Sequence, residues 1–379
     1  MGGAAGSAGT AGAAGSAGAA GAGGTAGSAG AAGSGGSAGA AGAAGSGGVG
    51  GSTGAVFPCS EQGIRDAIAE GGGPHTFDCG TPELVVTREQ IIIDNDVILD
   101  GEDNLTVDGN QHHRVFWVTE GVTATLRRFA VTRGSASIGG GVFNQGGTLT
   151  VADSTLIGNL AEFAGAAIHN SNGDLTLTNT SLRANRGDPG SSGGGIYNSG
   201  TLKMSGCTIS GNSASEGGGI DNDGTLTITN STISGNTIGD GTGGAIANTG
   251  TVMLIACTLS DNQAAGISGV TGSLTVANSI IDGDCAGPID SRGYNIESPS
   301  NTCGLDQTSD LADVTSGALG LEPLGENGGP TQTHALAAGS VAIDAIPQAT
   351  CDVDADQRGQ PRPEPAGTMC DVGAFELQP

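Results

Sequence analysis

The chain is poor in positive charge. Twelve Lys and Arg, of which Lys203 is the one Lys, face 38 Asp and Glu among 379 residues, for a net charge of −26. A surface this acidic repels nucleic acid and anionic lipid, so both are poor partners; it suits solubility, divalent-cation binding or a neutral substrate. Aromatic residues are also scarce, at seven Phe, two Tyr and one Trp. That is short of the ring platforms that sugar-binding grooves use, and it weakens a tight glycan-binding reading. Export signals are missing as well, since the N-terminus has neither a basic n-region nor an apolar h-region. Residues 1 to 54 instead contain only Gly, Ala, Ser and Thr apart from Met1 and Val49. Such a segment can neither bury a core nor carry charge, and is expected to be a disordered tether spanning about 40 Å root-mean-square. Tethers of this kind separate a lipid-anchored N-terminus from a surface domain, so an anchor or signal ahead of Met1 is the expectation.

What the sequence does have is a repeat. Between residues 139 and 284 one pattern returns every two dozen residues or so, a period that signals a solenoid. Glycine-led segments end on Asn144 (GGGVFN), Asn170 (GAAIHN), Asn198 (GGGIYN), Asn222 (GGGIDN) and Asn248 (GGAIAN). Each is followed by an alternating stretch such as TLTVADSTLIGN or TLTITNSTISGN. Aligned by column, Leu149, Leu175, Leu202, Leu226, Val252 and Leu274 are equivalent. Two residues on come Val151, Leu177, Met204, Ile228, Leu254 and Val276, with mostly Thr between. Apolar, polar, apolar at a spacing of two is a half-buried strand. A second strand carries Leu156, Leu182, Ile209, Ile233, Leu259 and Ile281; a third carries Val142, Ile168, Ile196, Ile220 and Ile246. Three short strands per coil and no intervening helix predict an all-β, right-handed parallel β-helix, pectate-lyase-like in its solenoid form, in which like side chains stack on like at about 4.8 Å. On the same logic Asn159, Asn185, Asn212, Asn236 and Asn262, and the five Asn that close the glycine motifs, form amide ladders that satisfy turn polar groups. Outward positions are read as Thr, Ser and Asn.

Three further regions flank the tether and complete the chain: an N-terminal cap over 55–90, coils over 91–284 and a C-terminal cap region over 285–379. In the first, Ile64, Ala67 and Ile68 fall at helical spacing behind Ser60 as N-cap, which predicts a short helix over the open end of the first coil. The last region reads as a loop-rich cap sealing the final coil. Eight Cys allow 105 pairings. Cys59 and Cys79 bracket the short helix and are a candidate disulfide, as are Cys285 with Cys303 and Cys351 with Cys370 in the loop-rich tail. Cys207 and Cys257 face inward two coils apart, about 9.6 Å at the strand spacing, too far to bond. Paired loops of this kind imply an oxidising, extracytoplasmic compartment.

The coil motif GGGIYN with TLTITNSTISGN, followed by GYNI, NGGPTQTHAL, AID, DQRG with RP, and CDVGAFE, resembles the bacterial choice-of-anchor Q domain proteins over about residues 57 to 377. AAGSVAIDAI stands where that family usually has a Pro-flanked Gly-Ser and a Gly after the Asp. The resemblance, shared at the coil motif with polymorphic outer membrane proteins, implies a secreted or surface β-helix with no established reaction. No sorting signal follows residue 379, so any membrane attachment is expected from the N-terminal side.

Carbohydrate-active enzymes are the rival reading. The densest ionisable group is Asp94, Asp96, Asp100, Asp103 and Asp108 with His112, His113 and Arg114. Asp100, Asp108 and His112 are its candidate catalytic residues, able to flank a sugar or hold a cation if the coils converge them. The plainer reading, adopted here, is solvated turn acids. Asp352, Asp354 and Asp356 alternate as in a Ca²⁺ loop, yet the Gly comes two residues late and no bidentate Glu follows. Ion pairs among Asp356, Arg358, Arg362 and Asp371 are preferred there, and no cofactor is expected. His169 and His334 stand alone and read as surface or cap residues. The expected protein is a monomeric, exported cell-surface or outer-membrane β-helix that binds a glycan or surface protein, or serves as a display module, without catalysis.

Overall fold

Each Leu-Thr-Val segment lies beside its counterpart one coil on. In the computed structural model, which describes residues 54–264, 266–268, 272–287, 289–363 and 368–378, Leu149 pairs with Leu175, Leu175 with Leu202, Leu202 with Leu226, Leu226 with Val252 and Val252 with Leu274. All these pairings are parallel, and all six side chains are buried. The chain divides into Met1–Gly47 and Gly48–Pro379. The expected tether lies outside the described residues except for Gly54.

The product is an all-β parallel β-solenoid with few helices. Among the described residues its walls are sheets of 19, nine and five strands. The 19-stranded wall bends within each coil, as between Thr148–Ala152 and Thr155–Ile157. Glycine-led strands such as Val142–Gln145 and Ile168–Ser171 build the nine-stranded wall. The five-stranded wall, made of strands such as Leu160–Ala164 and Arg186–Gly187, is a fourth short segment per coil. Sequence reading merged it into the turn, because its equivalent residues Leu160, Arg186, Ser213 and Thr237 share no hydrophobic pattern. One core fills the solenoid, and a second, smaller apolar cluster joins Leu319, Leu336, Ile346 and Phe375 of the C-terminal region to Ile280 and Ile296; each fully buried Leu or Ile contributes about 1.5–3 kcal/mol.

Helix α1 (Glu61–Glu70) closes the N-terminal end. Ser60 caps it by accepting the Gly63 N–H at 3.1 Å, and Ile64, Ala67 and Ile68 point into the core. Parallel pairing already begins ahead of Ile91, at Val56–Pro58 against Thr76–Asp78. Among the described residues no helix is long and apolar enough to cross a membrane.

The C-terminal region does two jobs where a single cap was expected. Ile289, Cys303 and Leu305 pack against the end of the core. The segment beyond folds back along the outside of the bent wall. There Gln357 Nε2 donates to Thr208 Oγ1 at 2.9 Å, Thr232 Oγ1 donates to Gln357 Oε1 at 2.6 Å, His334 Nε2 meets Ser234 Oγ at 2.9 Å, and the Ala374 N–H donates to Thr258 Oγ1 at 3.0 Å. Thr208, Ser210, Thr232, Ser234, Thr258 and Ser260 are therefore buried rather than facing solvent. A row of outward hydroxyls is what a polar strap can bond, so those positions hold Thr and Ser because they are covered.

Disulfides join Cys59 to Cys79, Cys285 to Cys303 and Cys351 to Cys370, and suggest an oxidising, extracytoplasmic environment. Cys207 and Cys257 are buried and unpaired, their thiols pushed up to about 12 by burial.

Candidate functional site

In the nine-stranded wall every second side chain points outward. Register stacks Trp117 on Phe143, Phe143 on His169, His169 on Tyr197, Tyr197 on Asp221 and Asp221 on Ala247. Four successive coils thus present four rings in one column, followed by a carboxylate. Trp117 and Phe143 stack with centroids 6.1 Å apart and 28° between planes, Phe143 meets His169 edge-on at 5.4 Å, and His169 stacks on Tyr197 at 4.7 Å. Glycines let the backbone fold tightly over this column. Gly139 and Gly217 both adopt φ of 58°, and a Cβ on Gly217 would come within 2.8 Å of the Asp221 Cβ.

Polar groups rim the rings. The Arg114 guanidinium lies 4.9 Å from the Phe143 centroid and 5.9 Å from that of Trp117, held by the carbonyls of Ile138 and Gly139 and by Gln90 Oε1. Burial brings its pKa down to about 10. Trp117 Nε1 donates to Gln145 Oε1 at 3.1 Å. At the other end the Tyr197 hydroxyl donates to one oxygen of Asp223 at 2.5 Å and Thr249 Oγ1 donates to the other at 2.6 Å. Burial, then Asp223, pushes the Tyr197 phenol upward. Asp221 is raised to about 6 by burial, with the charges of Asp223 and Glu216 adding to it and a Ser192 hydrogen bond opposing. His169 is lowered to about 4, chiefly by burial and further by Arg114, so it is neutral at physiological pH. It is enclosed between two rings, not a surface residue, and His334 belongs to the C-terminal strap, buried against Ser234 of the wall. From Phe143 on, the column could have been read from sequence: its residues stand immediately before the repeating Asn, where alternation requires an outward side chain, and Trp117 holds the same register before Val118.

The residues singled out from sequence are placed otherwise. Asp100 is buried, accepting Arg128 Nε at 2.7 Å and a second ion pair from Arg127; Asp108 is buried and accepts Arg133 Nε at 2.8 Å. Neither is a solvated turn acid, because an arginine from the next coil stands over each. The missed signal was opposite charge one coil apart. Asp94 and Asp103 are exposed, as is His112, and nothing brings His112 onto Asp100 or Asp108. The Asn ladders are continuous. Asn144, Asn170, Asn198, Asn222 and Asn248 are linked amide to amide at 2.7–2.8 Å, and Asn159, Asn185, Asn212, Asn236 and Asn262 at 2.9–3.0 Å.

Of the alternating C-terminal acids, Asp352 accepts Asn278 Nδ2 and Asp354 is exposed. Asp356 is buried on Arg358 and on the backbone N–H groups of Gln360 and Glu376. Arg362 pairs with Glu376 at 3.2 Å and reaches only the backbone carbonyl of Asp371, whose carboxylate instead accepts the N–H groups of Asp344 and Leu377. Among the described residues no group of three or more His, Cys, Asp or Glu is arranged to hold a metal ion.

No family model matches the chain, and no curated protein matches it. Among solved structures it is similar to the crystal structure of pectate lyase Pel9A, at 14% identity over 87% of this chain and 98% of that one, with a TM-score of 0.44. At that score the likeness carries no argument, and the solenoid stands on the chain's own strand pairing.

Proposed function

We propose that this protein is an exported, non-catalytic β-solenoid of a bacterial surface, akin to the choice-of-anchor Q domain proteins, that binds a neutral glycan along the Trp117–Tyr197 column. The observation that carries the reading is the column itself: rings rising about 4.8 Å per coil, close to the repeat of an extended sugar chain, with polar groups flanking it, Arg114 before the strands and Gln145 and Asp223 at their ends. Ring edges supply apolar contact and these groups supply hydroxyl partners, the usual division of labour in ligand sites. A net charge of −26 disfavours anionic uronates and leaves neutral polymers. Against catalysis by the early coils, Asp100 and Asp108 are already saturated by arginines.

A glycan array probed with the full chain and with Trp117→Ala and Tyr197→Phe tests this. Binding to neutral glycans that falls about tenfold or more in Trp117→Ala is expected; an array without hits, or both variants binding as well as the unaltered chain, would overturn it. One observation favours a second reading, a glycoside hydrolase: Asp221, raised to about 6, lies close to Asp223 on the same outward face, as an acid and base pair would. Turnover of a neutral polysaccharide that disappears in Asp221→Asn would replace the binding reading with that one.

A further inference from the structure

The solenoid begins on an open edge. The strand Glu83–Val86 pairs with residues 105–108 on one side and has no strand neighbour on the other among the described residues. In a parallel ladder successive residues turn their peptide groups to alternate sides. The Thr87 N–H donates to Asp108 O, so Arg88, Val86 and Leu84 face the open side. At Arg88 that side is already capped, because its N–H donates to Glu61 Oε2; Arg65 likewise covers the carbonyls of Glu89 and Gln90. Leu84 and Val86 have no such cap among the described residues.

Their open side lines a groove of about 570 Å³ whose other wall is the first turns of α1, from Ser60 to Arg65. Leu84 and Val86 are 51% and 44% exposed, and with Val56 and Ile92 they make up half of the large apolar residues left exposed among those described. Natural edges are normally blunted by charged side chains, Pro or shortness, and this four-residue strand carries one charge, Glu83 at its start, and neither Lys nor Pro.

The geometry selects the occupant. Helix α1 covers the end of the core, and a helix is about 10 Å across, whereas added strands sit about 4.8 Å apart. Two copies meeting head to head would bring two such helices into one strand gap, so a second solenoid does not fit. A single extended strand does. Charge narrows its chemistry: the groove is lined by Glu61, Glu83 and Glu89 against Arg65 and Arg88, with Arg65 shared between Glu61 and Glu89, on a body of net charge −26. We propose that this edge docks an extended segment of another polypeptide, neutral to basic with apolar side chains at alternate positions, as one added strand.

The test uses the full chain and a labelled, end-capped Lys-Val-Lys-Val-Lys-Val peptide. At saturation, amide exchange over residues 83–88 slows about tenfold, and Glu83→Lys/Glu89→Lys weakens binding about tenfold. The same peptide N-methylated at alternate positions keeps its charge but loses its strand donors, and binds at least tenfold more weakly. Unchanged exchange would overturn the proposal, as would equal binding of the N-methylated peptide, which would reduce the contact to charge attraction. Protection already present without peptide would also overturn it: lost on deleting residues 1–53, it assigns the edge to the chain's own N-terminal segment; rising with protein concentration alongside a doubled mass, it assigns the edge to a second copy.

Discussion

Replacing Asn212 by Ala tests whether the amide ladders hold the coils together. The Asn212 amide is fully buried. Its Oδ1 accepts both the backbone N–H and Nδ2 of Asn185 at 2.9 Å, and its Nδ2 donates to Leu182 O and Asn236 Oδ1 at 3.0 Å. Not all of these partners are stranded by the substitution. Asn236 Oδ1 still accepts the backbone N–H of residue 212, and Asn185 Nδ2 keeps Leu156 O. What loses its acceptor is the Asn185 N–H and one hydrogen of its amide. Each buried orphan costs about 1–3 kcal/mol, and a water entering the vacated space recovers part of that, so a net loss of about 3 kcal/mol is expected. Solenoids need not unfold in one step. The assay is therefore a guanidinium melt combined with amide exchange at residues 185 and 212, with Thr227→Ala on the outer face as a control expected to stay within about 0.5 kcal/mol. An Asn212→Ala variant as stable as that control, with exchange at Asn185 unchanged, would show that the ladder merely accompanies the packing of Ile209 and Ile233.

The ion pairs and buried groups lead to three more predictions. Burial disfavours the Asp100 charge, but bonds from Arg128, the Glu102 N–H and Arg127 outweigh it, so its pKa lies below the ordinary value in the folded state. Its contribution is therefore present above about pH 4 and lost as pH falls through the folded value. With both arginines partly exposed, Asp100→Asn should cost about 1–2 kcal/mol at pH 7, and melts at pH 2.5 should show little difference; a gap independent of pH would refute this. Asp221 has the opposite sign. Raised to about 6, it holds its proton in the folded state where the unfolded chain has lost it, so stability falls as pH rises from about 4 to 6. Asp221→Asn should stabilise by about 2 kcal/mol at pH 7.5 and not at pH 3.5, and equal melts at pH 7.5 would sink the assignment. Burial keeps Cys207 and Cys257 as thiols, so a disulfide-exchange reagent should label neither in the native protein and both in guanidinium. Rapid native labelling would contradict their inward placement.

The solenoid was legible because its inward columns are overdetermined. Leu202 must fit Leu175 on one side and Leu226 on the other, so the same kind of residue recurs at a countable period. Where that constraint lapses, the reading lapsed too. The five-stranded wall has no shared apolar residue, the strap over Thr208 and Thr232 joins residues more than a hundred positions apart, and the acid-over-arginine pairs replace likeness with complementarity. Asp100 looked like a solvated acid because its partner lies one coil away, and its neighbours in sequence, Gly101 and Glu102, say nothing of Arg128.

The ring column belongs between these cases. From Phe143 on, its position was as predictable as the Asn ladder beside it, being one residue earlier in each coil, but its composition was not, since the column runs Trp, Phe, His, Tyr, Asp, Ala where the neighbouring inward column holds Phe116 and then only Val or Ile. An outward side chain on this wall stacks on the one above and the one below, and that stacking asks no more than that consecutive members tolerate each other. Rings satisfy that rule as far as Tyr197, whose hydroxyl turns the column from apolar to acidic by bonding Asp223. The next member, Asp221, is instead a carboxyl whose burial lifts it to about 6. A folding penalty kept on an outer face, at the end of four rings, is better explained by what the face contacts than by what the coil needs, and this is why the search for a ligand belongs on that wall.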